Sequence, residues 1–414
     1  MTYYKKFDSG LRLIVKKIEG LWSVSTGIIV GTGSTFETDG ENGISHFIEH
    51  MMFKGTDKRT AFEISDAMDR IGAQVNAFTS KEITCYYSKS TSDHAGEAFE
   101  ILSDFFLNSV FPEDEMEREK GVVLEEISMT EDTPDDLCFD VLAQAFYGNR
   151  GYGRSILGPA KNVSSFTREN LLEYIQKRYA PENIVISFAG NIDEKYAEEL
   201  VETYIESKIP KRKREDRKPE IFYPSQSLFK KKDIEQVHFA LAFPSFRRDD
   251  KMLDAGNLMN YVLGGGMSSR LFQKVREQLG LAYSVYSYIS AYTECGSLIV
   301  YAGVNPQSAE KAFAAVRGEI SRLCKDGITE EELVRGREQL RSSLILGQES
   351  TASQMLVYGK HLLFTDEIFD FDARVSAIDT LTRDDVARAI DVSFREEKMA
   401  AGAVGKLDKP FLLH

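Results

Sequence analysis

His46 and His50 stand four residues apart in the stretch GISHFIEHMMFKGT, Gly43 to Thr56, and Glu49 directly precedes the second histidine. On a helix, residues i and i+4 lie on one face, so both imidazoles can turn to a single cation. Glu49 shares that face and can reach a water on the cation without being a ligand. The HxxEH order is the reverse of HExxH, and both spacings suit metal-assisted hydrolysis.

A catalytic zinc needs three protein ligands and one open position. Glu119 and Glu126 lie seven residues apart in one helical pattern, so both project to the same side. One can bind the metal while the other supports the site. His94, His238, His361 and His414 sit in no motif, which favours a carboxylate as third ligand. The competing reading is an amphipathic helix that carries two imidazoles by chance. The acidic helix downstream weighs against it.

These residues need elements to position them. GLRLIVKKI and WSVSTGIIVGTG read as strands, and a helix follows from about Asn42. AFEISDAMDRIG reads as a second helix, QVNAFTSKEITCYYSKS as a strand pair, and HAGEAFEILSDFFLNSV as a helix by its i, i+3, i+4 apolar spacing. Pro112 ends it, and a new helix with acids in its first turn begins at EDEMEREKGVVLEEISM. The second half repeats this order. ITEEELVRGREQLRSSL aligns with FPEDEMEREKGVVLEEI without gaps, setting Met116 over Leu333 and Ile127 over Leu344. Glu119 then faces Gly336, Glu126 faces Ser343, and nothing in the second half matches His46 and His50. The expectation is a duplication: residues 1–212 carry the metal, and residues 213–414 form a degenerate copy. The charged connector PKRKREDRK, Pro210 to Lys218, is expected to act as a hinge.

Bulk properties narrow the function. With 414 residues, two domains are the natural prior. A net charge of −14 argues against nucleic-acid binding and points weakly to a basic substrate. No run of 18 apolar residues predicts a membrane span, and no hydrophobic leader opens the chain. Cys85, Cys138, Cys295 and Cys324 lack CxxC spacing and read as buried, reduced thiols of a cytoplasmic protein. LGGGMSSR, Leu263 to Arg270, is not a phosphate loop, because no GK[ST] follows.

In order and spacing, four stretches resemble the pitrilysin/insulinase group of zinc peptidases: GISHFIEHMMFKGT, VNAFTSKEITCYY, EREKGVVLEEI and GGGMSSRLFQKVREQLGLAYSVYS. The likeness is greatest to the mitochondrial processing peptidase β-subunit and its bacterial relatives. The resemblance implies an α+β fold of two homologous α/β domains, each with a largely antiparallel sheet packed by helices, in a clam-shell arrangement. It implies one Zn²⁺ per chain on His46, His50 and Glu126, with Glu49 as general base and Glu119 in support. It implies that Arg276 and Tyr283 reach the substrate. Phe53 resembles the wall of the pocket for the residue after the cut, and Asn76, Ala77 and Phe78 resemble the edge strand that pairs with an extended peptide. Asp136 and Asp140 fall where the processing peptidase binds an arginine before the cut, though Asp136 is shorter than the family's glutamate.

The expected function is that of a zinc-dependent endopeptidase acting on peptides or unfolded segments in an enclosed chamber, working as a homodimer. The alternatives are a non-catalytic subunit of the same family and a zinc hydrolase with a non-peptide substrate.

Overall fold

The computed structural model describes residues 2–213, 215, 218–219 and 221–413. The expected hinge includes Arg214, Asp216 and Arg217, which lie outside the described residues, as does His414. No helix among the described residues is long and apolar enough to cross a membrane.

The chain divides into two compact units. Unit 1 comprises Met1–Ile127, Ser155–Lys218 and Leu346–Phe369, and unit 2 comprises Ser128–Arg154, Pro219–Ile345 and Asp370–His414. Unit 1 holds a six-stranded sheet of β1 (Thr2–Lys6), β2 (Arg12–Lys17), β3 (Ser23–Val30), β4 (Gln74–Thr79), β5 (Thr84–Thr91) and β6 (Ile184–Gly190). Its order is β1-β2-β6-β3-β5-β4. Unit 2 holds β7 (Ser227–Lys231), β8 (Val237–Pro244), β9 (Ala282–Ala291), β10 (Gly296–Val304) and β11 (Ala400–Gly405), in the order β7-β11-β8-β10-β9. Removing β1 makes the two orders identical. Each sheet also has one parallel pair at the same place, β2 with β6 and β11 with β7, and is otherwise antiparallel. The duplication is thus visible in topology.

Successive residues of a strand face opposite sides, and both sides of the central strands are buried, so apolar residues fill both phases. Leu13, Val15, Ile28, Val30, Ile186 and Phe188 point into one core. Ile14, Ile29, Val185 and Ala189 point into a second core on the opposite face. The first core is covered by α1 (Ile44–Met51), α2 (Ala61–Arg70) and α3 (Ala95–Asn108). The second is covered by the helix Thr351–Thr365 through Met355, Tyr358 and Leu362.

The compact units are therefore not the contiguous halves 1–212 and 213–414. After α4 (Glu113–Asp132), α5 (Pro134–Tyr147) packs in unit 2, where Leu137, Cys138, Leu142 and Phe146 cover Ala240, Ala242 and Val404. A Cβ at Gly402 would stand 2.5 Å from the Leu142 backbone nitrogen, so glycine lets that helix approach β11. A sheet buried on both faces needs a second cover, and each unit takes it from a helix distant in sequence.

One reading of the cysteines is corrected. Cys85, Cys138 and Cys295 are buried, but Cys324 is exposed, because it lies on the outer face of the helix Ala309–Asp326.

Candidate metal centre

α1 is fixed at its start by a buried acid. The Glu37 carboxylate accepts the Gly43 and Ser45 backbone N–H groups at 2.8 and 3.0 Å and the Asn42 side-chain amide at 2.9 Å. Burial pushes the Glu37 pKa up, and these donors oppose the rise. Gly43 has φ +99°, and a Cβ there would stand 2.6 Å from the Leu157 carbonyl oxygen. Only glycine suits that turn.

α1 and α4 then bring three donors together. His46 Nε2 lies 3.5 Å and His50 Nε2 3.6 Å from Glu126 Oε2. Ligand atoms of these three residues lie within 4.8 Å of one another. The separations exceed a normal N–H···O hydrogen bond. Around tetrahedral zinc, with bonds near 2.0–2.2 Å, ligand atoms stand roughly 3.3 Å apart. Donor types and spacing therefore suit the ion.

Glu119 stands behind His50. Its Oε1 accepts from His50 Nδ1 at 2.8 Å, and its Oε2 meets Lys54 Nζ at 2.5 Å. Burial acts to raise the Glu119 pKa, but the hydrogen bonds from His50 and Lys54 outweigh it and the pKa falls. An ionised Glu119 accepts the Nδ1–H hydrogen bond of His50 and leaves Nε2 facing Glu126, the carboxylate–histidine pairing found behind metal ligands. For His50, burial disfavours the charged form, but the Glu119 hydrogen bond and the surrounding carboxylates raise its pKa. His46 lacks such a partner among the described residues: its Nδ1 is buried without one there. Burial, and then the charge on His50, lower the His46 pKa to about 4, so its imidazole is neutral near pH 7. Replacing Glu119 by Ala is expected to weaken zinc binding about 10–100-fold, the usual cost of losing such a partner. Competition with a chromogenic chelator measures it, and unchanged affinity would remove Glu119 from the site.

Glu49 is not among the three converging donors. Its Oε2 accepts from the Thr79 hydroxyl at 2.5 Å. Burial raises its pKa, with the Thr79 bond and His50 opposing.

The remaining expected residues distribute as follows. Phe53 lies past the end of α1, with its ring 4.8 Å from Phe105. Asn76, Ala77 and Phe78 lie on β4, whose one neighbour in the sheet among the described residues is β5. The Ala77 N–H is accepted by Asn76 Oδ1 at 2.8 Å. Arg276 and Tyr283 belong to unit 2, with the guanidinium 5.2 Å from the Tyr283 ring centre and 4.7 Å from that of Phe272. Arg276 sits in a π-helical stretch, Phe272–Gln278, and Tyr283 is 76% exposed. Asp136 and Asp140 lie on α5, also in unit 2. Burial, then Asp135 and Asp140, raise the Asp136 pKa.

Unit 2 has no second centre of this kind among its described residues. At Gly336, which aligns with Glu119, an added Cβ would lie 2.8 Å from Leu258 Cγ. Packing fills the space an acid would need.

Sequence reasoning passed over Lys54 and Thr79. Lys54 continues the four-residue spacing of His46 and His50, a signal that was available. Thr79 meets Glu49 from β4 to α1, and no local spacing announces that contact.

The sequence model of the insulinase family, peptidase family M16, matches residues 14–160, and that of the peptidase M16 inactive domain matches residues 165–340. The chain belongs to the insulinase family of zinc metallopeptidases. The uncharacterized zinc protease YmxG of Bacillus subtilis is 43% identical over 374 residues, covering 88% of this chain and 91% of that protein. An uncharacterized zinc protease of Streptomyces coelicolor is 36% identical over 400 residues, covering 94% of this chain and 87% of its own. The fold is shared with a protease from Helicobacter pylori, with a TM-score of 0.91 at 21% identity, over 98% of this chain and 99% of that one.

Proposed function

We propose that the chain is a zinc-dependent endopeptidase that cleaves peptides or unfolded segments. The convergence of His46, His50 and Glu126, with Glu49 on the same helix as the two histidines and outside the three donors, carries this reading. Zinc held by those three residues would polarise the scissile carbonyl and lower the pKa of water toward neutrality. Glu49 takes the proton of the attacking water and returns it to the leaving amine. Its burial raises its pKa above the usual carboxylate value, against the Thr79 hydrogen bond and His50. Glu119 keeps His50 in the tautomer and orientation that leave Nε2 free. The Tyr283 hydroxyl, with Arg276 stacked on its ring, serves as a donor to the developing oxyanion.

The edge position of β4 in its sheet supports a peptide substrate, because strand addition holds varied sequences through main-chain hydrogen bonds. Phe53 is assigned to the pocket after the cut, and Asp136 and Asp140 to a basic residue before it. One ion per chain and a pair of chains complete the proposal.

The alternative, a non-catalytic subunit, has less support. The match to an inactive domain covers residues 165–340, whereas every candidate ligand lies within 14–160. Cleavage of a mixed peptide library, mapped by mass spectrometry, tests the reading. Cuts enriched next to basic residues and abolished by a chelator are expected. A zinc-loaded protein that cuts nothing would favour the alternative.

A further inference from the structure

Glu49 carries a long side chain with three rotatable bonds, yet a proton acceptor must hold one oxygen in a fixed place. Among the described residues its carboxylate has one hydrogen-bond donor, the Thr79 hydroxyl on Oε2. Thr79 is the last residue of β4, paired in register with Thr84 of β5, so its backbone is held by the sheet. The strand that carries Asn76, Ala77 and Phe78 therefore also reaches the acid on α1. We propose that Thr79 is a positioning residue for Glu49: its hydroxyl holds Oε2, so that Oε1 is the oxygen presented for proton transfer. The inference rests on the assignment of Glu49 as the base. It gives the edge strand a second task, since the element assigned to hold the peptide also sets the acid that acts on it.

The geometry favours this role over simple packing. The contact joins two polar groups across a part-buried junction between α1 and β4, and it is the one hydrogen bond to the Glu49 carboxylate among the described residues. A methyl in place of the hydroxyl keeps the shape and leaves the carboxylate without its donor, free to sample other rotamers. Misplacing a reacting group by about 1 Å can cost on the order of 10²-fold in rate.

Thr79→Val, Thr79→Ser, Glu49→Gln, Glu49→Ala and the Thr79→Val/Glu49→Ala double variant test the proposal in the full chain. Thr79→Val is expected to lower kcat on the order of 10²-fold, with KM and zinc content nearly unchanged. Thr79→Ser, which restores the donor, is expected to recover most of the loss. In the metal-free protein, the thermal-midpoint shifts of Thr79→Val and Glu49→Ala, which each remove the bond, should not add in the double variant, because residues in one hydrogen bond are coupled. A wild-type kcat for Thr79→Val, a loss that serine does not rescue, or additive midpoints would each overturn the inference. An active Glu49→Gln would instead overturn the base assignment, and the inference would fall with it.

Discussion

Glu49→Gln is expected to lower kcat by roughly 10²–10⁴-fold, the contribution usual for a positioned general base. Glutamine keeps the length and shape of the side chain, and its carbonyl oxygen can still accept from Thr79. It cannot take a proton from water. Zinc content is expected to stay at one ion per chain, because the three converging donors are His46, His50 and Glu126. The result therefore separates chemistry from metal binding. Turnover of a fluorogenic peptide, read beside zinc content by atomic emission, supplies both numbers. A fully loaded variant that still turns over would remove Glu49 as base.

The second large effect is on the metal. Glu126→Gln exchanges the one anionic donor of the cluster for a neutral amide. Loss of a mere supporting partner costs about 10–100-fold in metal affinity, so loss of a direct carboxylate is expected to cost about 10²-fold or more, and activity falls with it. Metal-free stability should change little, since the Glu126 side chain is 37% exposed and faces solvent as well as the histidines. Dialysis against buffered zinc, followed by metal analysis, checks the loss. A variant that holds zinc as the parent does would shift the third ligand to Glu119, the other acid on that face of α4.

The centre was legible in sequence because its parts are local and periodic. His46, Glu49 and His50 share one helical face, and the seven-residue spacing of Glu119 and Glu126 places both acids on one side of α4. The duplication was legible for a similar reason, as the same order of elements recurs, and the two sheets reproduce it strand by strand. Features set by tertiary approach stayed hidden. Thr79 reaches Glu49 only once β4 lies beside α1. The π-helical stretch holding Arg276 carries no sequence signal that separates it from an α-helix. The covering roles of Pro134–Tyr147 and Thr351–Thr365 were also invisible, since an apolar helix face does not name the sheet it will meet.

Those two covering helices bear on how the protein can be made. Unit 1 holds the metal donors within its first 127 residues, yet one face of its sheet stays bare until residues 351–365 arrive. During synthesis, Ile14, Ile29 and Val185 must wait for most of the chain to leave the ribosome. A gene fragment that ends at the connector would encode all three candidate metal donors and still expose that apolar face, an invitation to aggregate. The polypeptide is accordingly two bodies in space but one indivisible unit of translation.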